Sequence, residues 1–352
     1  MTANQTDQAE SADKSKHQPM TAPARGVPPQ LRRLFQAESN SVLIATIALI
    51  VLIGALHPNF FNAGQLRDML QSSVYVALLA SGMAFLLSMR EIDLSVGANF
   101  GLSLISTALL IRSGINPWLA GLAGIVIGAA MGLVNALIVQ FIAIPAIVAT
   151  LASMQIYRGL ALALSGGQQV NGLPLNNSFF DTLAGKFLGL PISVWILIAV
   201  TAALTVVLRL TPFGYRVRSI GSNPEAAQFS GISQPWTRVK VLVLVGALCG
   251  LAGVLGLAFF TSGDPNVGTG FELQAIAAAV IGGTPLRGGS ATVVGAVIGA
   301  ILLSVVSSGL VYFNIPANWS SFASGIVVLL AVAVDSLLRS RRKARKSELG
   351  LS

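Results

Sequence analysis

Residues that could do covalent chemistry are few in this chain, and their spacing suits no reaction. Its two histidines, His17 and His57, fall in a polar N-terminal stretch and at the edge of an apolar block. No His, Cys, Asp and Glu grouping has the spacing of a metal site, and no nucleophile elbow is present. The one cysteine, Cys249, stands inside an apolar run, which excludes a disulfide framework and predicts a small buried packing residue. The stretch Ile281-Gly282-Gly283-Thr284-Pro285-Leu286-Arg287-Gly288-Gly289-Ser290 is glycine-rich but lacks the Gly-Lys-Ser/Thr ending of a phosphate-cradling loop. The only Gly-Lys pair, Gly185-Lys186, is followed by Phe187. The expectation is a chain that is not an enzyme, binds no cofactor or metal of its own and has no nucleotide site.

What remains polar is gathered in a few places. Met89 to Gly97 holds three charges, Arg90, Glu91 and Asp93, between two apolar blocks. Asp93 and Ser95 sit where a helix starts, so either can accept hydrogen bonds from free backbone N–H groups, and a capped turn accounts for the cluster. A gating role would require the carboxylates to face a cavity. In the loop 211–237, Asn223 precedes Pro224 and Glu225: a capping amide, a proline at the first helical position and an acid in the first turn. Gly231 supplies the stop, so a helix of about two turns is expected. With Ala226, Ala227, Phe229 and Ile232 it reads as a docking element for another protein or as a helix lying on the membrane surface. Gly282, Gly283 and Thr284 open a segment in which two glycine pairs around a proline break any helix. Gln155 and Arg158, in Tyr157-Arg158-Gly159, are polar residues within an apolar block. Arg158 marks a pathway or snorkels to the membrane surface.

The elements that must position these groups follow from composition. Of 352 residues 54% are apolar and only 10% charged, and the mean hydropathy is +0.76. Soluble domains carry about 25% charge, so a soluble enzyme, a nucleic-acid module and a disordered regulator are excluded. Apolar blocks near the ~20 residues needed to cross a bilayer recur along the chain. The expected spans are 41–57, 70–89, 96–112, 117–140, 142–165, 191–210, 239–260, 272–283, 291–313 and 318–338. The eighth is too short to cross unaided and reads as a half-helix or re-entrant segment. The predicted fold is all-α, a polytopic membrane bundle of about ten transmembrane helices spanning 39–338. It is flanked by a disordered polar tail (1–38) and a basic tail (339–352). With both termini inside, 18 of the 22 basic residues fall on the cytoplasmic face, and only Arg67, Arg112, Arg158 and Lys186 fall outside or towards it. The net charge of +9 therefore reads as an orientation signal, not a nucleic-acid patch. Gly124, Gly128 and Gly132, Gly246, Gly250 and Gly253, and Gly295 and Gly299 repeat at or near one helical turn, as close helix packing in lipid requires. No Asp or Glu falls near the centre of an assigned span, which speaks against ion-coupled secondary transport.

These clusters, in this order, resemble the permease subunits of ribose-type sugar importers of the ATP-binding-cassette (ABC) class. The matching stretches begin with Gly82-Met83-Ala84, Glu91-Ile92-Asp93-Leu94-Ser95-Val96-Gly97, and Tyr157-Arg158-Gly159-Leu160 with Ser165-Gly166-Gly167. They continue with Gly221-Ser222-Asn223-Pro224-Glu225-Ala226-Ala227 and Gly231-Ile232, then Ile276-Ala277-Ala278 with Ile281-Gly282-Gly283-Thr284, so the likeness covers about residues 40–338. The resemblance implies a plasma-membrane subunit that pairs with a second permease subunit, identical or similar, and works with a cytoplasmic ATPase that uses ATP and Mg. It also implies an extracytoplasmic substrate-binding protein. The family's coupling helix falls on Asn223 to Ile232, which favours docking over surface lying. Glu91, Asp93, Ser95, Gln155, Arg158, Gly282, Gly283 and Thr284 are candidates for translocation or gating. The polar N-terminal tail is a departure that the resemblance does not explain.

Overall fold

The computed structural model describes residues 37–316 and, beyond them, Trp319, Phe322, Gly325, Ile326 and Leu329. The two expected tails and the tenth span (318–338) lie almost wholly outside the described residues. Twelve α-helices follow in order: α1 (Ala37–Leu56), α2 (Ala63–Ser88), α3 (Val96–Arg112), α4 (Pro117–Ile142), α5 (Ala146–Ser165), α6 (Ser178–Leu183), α7 (Ile192–Leu210), α8 (Pro212–Ser222), α9 (Pro224–Phe229), α10 (Gln234–Phe260), α11 (Phe271–Ile281) and α12 (Val293–Tyr312). A two-strand hairpin, β1 (Lys186–Phe187) with β2 (Leu190–Pro191), precedes α7. Among the described residues six helices, α2, α4, α5, α7, α10 and α12, are long and apolar enough to cross a membrane. The shorter apolar helices are Ser41–Leu56, Val96–Arg112 and Phe271–Ile281. The chain is a helical membrane bundle.

Hydropathy placed the apolar centres well and some boundaries poorly. Helix α2 starts at Ala63, seven residues ahead of the expected span, because Asn62 caps it through Gly64 N–H. Its first turns are too polar to register as a span. Helix α5 starts at Ala146 instead of residue 142: Ala143 is left-handed and Pro145 fixes the entry. Helix α10 begins at Gln234, inside the loop expected over 211–237, and α8 fills the first half of that loop.

The bundle is built around α2, which is enclosed from Ser73 to its end at Ser88. Helices α4 and α10 meet through their glycines. A Cβ on Gly128 would lie 2.5 Å from Gly246 O and 2.7 Å from Gly250 Cα, so these backbones touch with no room for a side chain. Gly124, Gly128, Gly246 and Gly250 thus serve packing within one chain. Cys249 is fully buried beside them, as expected.

The short eighth span is a half-helix. Eleven residues of α11 rise about 16 Å, half the ~30 Å hydrocarbon core. The segment after it returns to the face that carries Arg90 and Arg238, with Gly289 N–H donating to Ser88 O at 2.9 Å. Its N-terminus therefore starts near mid-depth. Two contacts agree: Phe271 packs on Phe100 (centroids 5.4 Å), and the neighbouring Asn99 donates to Gly128 O at 3.1 Å, at the middle of α4. Glu272 consequently reaches the middle of the bundle. Glu272 heads the span expected over 272–283, and its depth follows from the chain between α10 and α11, which folds inward before the helix begins.

Candidate functional site

The stretch from Asn223 forms the short helix its residues predict. Asn223 Oδ1 accepts from Ala226 N–H at 3.1 Å, Pro224 opens α9, and Gly231 turns the chain away with φ +78°. Glu225 and Ala226 are exposed, and Phe229 is 92% exposed, an uncovered aromatic on a two-turn helix. Ala227 faces the other way and is buried, and Ile232 is half-buried. Between α8 and α9 lies an open cleft of about 440 Å³, bordered by Tyr215, Arg218, Ser222, Asn223, Ser230 and Ile232.

The three polar clusters of the sequence converge behind this helix. Arg90, held left-handed at φ +64°, donates from Nε to Gly221 O (2.6 Å) and from Nη2 to Ser222 O (2.9 Å). It thereby satisfies carbonyls at the end of α8, immediately before α9. Only glycine fits at 221, where any Cβ would collide with Ser88 O and lie 2.6 Å from Gly289 N. Glu91 pairs with Arg238 in the first turns of α10, Nε to Oε1 at 2.5 Å, while its Oε2 is buried without a partner. Burial pushes the Glu91 carboxyl above the ordinary glutamate range, and the Arg238 guanidinium opposes that rise.

The other end of the same loop points into the bundle. Asp93 Oδ1 accepts from Ser95 N–H (2.7 Å) and Ser95 Oγ–H (2.6 Å). Asn135 of α4 donates from Nδ2 to Ser95 Oγ at 2.7 Å and lies 3.4 Å from Asp93 Oδ2. Tyr157 of α5 donates to Asn135 Oδ1, with Met131 O equally close at 2.9 Å. Leu94 N–H donates to Thr150 Oγ1 of α5 at 3.0 Å. Asp93 closes the turn on Ser95 N–H ahead of α3 but does not cap a helical N–H, and Ser95 spends its hydroxyl on Asp93 and Asn135. Both carboxylates are buried among protein atoms.

Gly282, Gly283 and Thr284 turn the chain from α11 to α12. Gly282 packs directly on Gly295, Gly283 adopts φ +93°, and Thr284 Oγ1 accepts from Thr292 N–H at 3.2 Å. The same segment reaches the junction through Gly288 and Gly289. Gln155 and Arg158 stand apart from it: Gln155 is exposed on α5, and Arg158 is half-buried with Nη2 lacking a partner. Arg90, Asn135, Arg238 and Glu272 were missed as site residues. A lone amide inside the apolar run of α4 and a lone carboxylate at the head of a short span were the signals for two of them. Among the described residues no group of His, Cys, Asp and Glu could hold a metal ion.

A family profile described as branched-chain amino acid transport system/permease component matches residues 65–332. The chain belongs to this family. It is a transport permease, not an enzyme. The permease is 36% identical to the ribose import permease protein RbsC of Escherichia coli strain K12 over 296 residues, 84% of this chain and 92% of that one. It is 37% identical over 289 residues to RbsC of Bacillus subtilis strain 168, covering 82% and 89% of the two chains. With the autoinducer 2 import system permease protein LsrC of Yersinia enterocolitica, identity is 34% over 300 residues, 85% of this permease and 83% of the relative. No solved structure matches it. All the polar clusters described above, from Arg90 to Gly289, lie inside the matched span.

Proposed function

We propose that this permease is the transmembrane subunit of an ABC importer that brings a monosaccharide or similar hydroxylated solute (ribose-, xylose- or polyol-like) into the cell. Its partners in this reading are a second permease subunit, separate cytoplasmic ATPase subunits and an extracytoplasmic binding protein. It sits in the plasma membrane with both termini, and the Arg90–Arg238 face, in the cytoplasm. The observation that carries the proposal is family membership together with relatives named for import of ribose and autoinducer 2.

Helix α9 is the element that receives the ATPase. Its exposed Phe229, Glu225 and Ala226 form a small face that a groove on a partner can grip. ATP-driven closure of the ATPases displaces α9. Arg90 and the Glu91–Arg238 pair carry that displacement into loop 89–95, and the Asp93–Ser95–Asn135–Tyr157 chain carries it into α3, α4 and α5. Alternating access follows as those helices rock between two arrangements. One observation favours a second reading: Glu272 at mid-depth is where an ion-coupled secondary transporter would place its carboxylate.

The two readings separate in vesicles holding the permease, its ATPase and its binding protein. Labelled ribose or xylose accumulates only with ATP on the ATPase side if the proposal holds, and uptake without ATPase subunits sinks it. Glu225→Lys and Phe229→Asp should abolish uptake while the permease still inserts and folds. Both positions are exposed, unlike Ala227, whose substitution would disturb packing.

A further inference from the structure

The chain between α10 and α11 is irregular backbone at membrane depth. Thr261 ends α10 left-handed at φ +57°, and Gly263 bridges to Val170 by paired backbone bonds (2.8 and 2.9 Å). The segment then descends until Gly268 meets Gly97 at the head of α3, and a Cβ on Gly101 would lie 2.8 Å from Val267 O. Non-helical backbone at this depth persists only where protein buries it or where it lines a water-filled cavity. Gly263, Pro265 and Gly268 take the first solution and are buried, whereas Asp264, Asn266 and Thr269 are exposed. The polar side chains of the loop are thus left uncovered by the described residues, with Asp264 nearest the Val170 bridge and Thr269 nearest Gly97.

Their chemistry is specific. Asp264 spends Oδ1 on Asn266 N–H at 2.8 Å, the Asn266 side-chain amide has no partner among the described residues, and Thr269 donates to Asn266 O at 2.6 Å. One face therefore offers a carboxylate oxygen, both ends of an amide and a hydroxyl oxygen. Below it Glu272, nine-tenths buried, accepts Gly270 N–H at 3.2 Å through Oε1 and leaves Oε2 without a partner. Gly97 makes room for that oxygen, since a side chain there would collide with it.

We propose that Asp264, Asn266 and Thr269 contact the transported solute on its way through the permease, and that Glu272 is a positioning residue that holds the loop through Gly270. The solute class is neutral and polyhydroxylated: its hydroxyls donate to Asp264 and accept from Asn266, while Asp264 repels phosphorylated or carboxylated analogues. The inference rests on the importer reading and adds to it where the solute is touched.

The test uses the complete complex in vesicles, with Asn266→Cys, Thr269→Cys and, as a buried control, Ala275→Cys. The native Cys249 is fully buried and stays silent. A membrane-impermeant thiol reagent should label positions 266 and 269 and spare 275. Labelling should slow several-fold in whichever of D-ribose, D-xylose or ribitol the unmodified complex accumulates. Asn266→Ala and Asp264→Asn should raise the concentration for half-maximal uptake about tenfold, as loss of solute hydrogen bonds predicts. Absence of labelling at 266 and 269 overturns the inference, because the loop is then covered by protein, including a second permease subunit. So does labelling that the transported solute does not slow, or unchanged half-saturation in both variants. ATP-independent uptake by the unmodified complex counts against the importer reading alone and leaves the labelling result standing.

Discussion

Loops 89–95 and 261–270 both carry irregular backbone into the bundle, and they treat their polar groups in opposite ways. In the first, Arg90, Asp93, Leu94 and Ser95 all have protein partners, drawn from α4, α5 and α8 or from the loop itself. In the second, Asp264, Asn266 and Thr269 are exposed, and the Asn266 side-chain amide has no partner among the described residues. A buried network with most of its groups bonded favours one arrangement, although Glu91 Oε2 in the first loop has no partner among the described residues; exposed unpaired polar groups are available to a ligand. The first loop is built to transmit, the second to receive. They come together where Gly97, two residues beyond Ser95 at the head of α3, meets Gly268 and Glu272.

Breaking that contact should have the largest effect. Gly97→Val forces a side chain into Gly268 O and Glu272 Oε2, and overpacking of this kind costs roughly 1–3 kcal/mol. Thermal unfolding in detergent should show the loss, and uptake should disappear. Asp93→Ala comes next, because Ser95 N–H and the Asn135 amide lose an acceptor inside the protein, a penalty of about 1–3 kcal/mol. Glu91→Gln keeps the shape and removes the charge facing Arg238, so stability should fall less than uptake. Acidification should mimic it. Burial raises the Glu91 pKa, so its proton returns at a higher pH than at exposed glutamates, and uptake should decline on acidification more steeply in the unmodified permease than in Glu91→Gln. Phe229→Ala should have the smallest effect on stability, within about 0.5 kcal/mol for so exposed a position, while weakening association with the ATPase.

What the sequence made legible was local. The bounds of α9 follow from Asn223, Pro224 and Gly231, which act on their own neighbours, and the glycine repeats of α4 and α10 announced close packing before their partner was known. The half-helix was legible from length alone, since eleven residues cannot cross a ~30 Å core. The junction was not. Arg90 reaches a carbonyl 131 positions away and Glu91 a guanidinium 147 positions away, and nothing in the local pattern of either residue points to such partners. The depth of Glu272 was not legible for a related reason: hydropathy orders segments along the chain, whereas its depth is set by a loop folding back onto Gly97. Ala227 illustrates the limit within a single turn, because composition marked the helix as a docking element but the side each residue faces depends on what lies beneath.

The central claim is that loop 89–95 passes the movement of α9 into the bundle, and the Glu91–Arg238 pair tests it most directly. Glu91→Arg, Arg238→Glu and the double exchange should be compared for ATP-driven uptake in vesicles, with ATPase association measured alongside. The account predicts that each single variant binds the ATPase yet loses most uptake, and that the exchange restores a substantial part of it. Normal uptake by either single variant would contradict the claim.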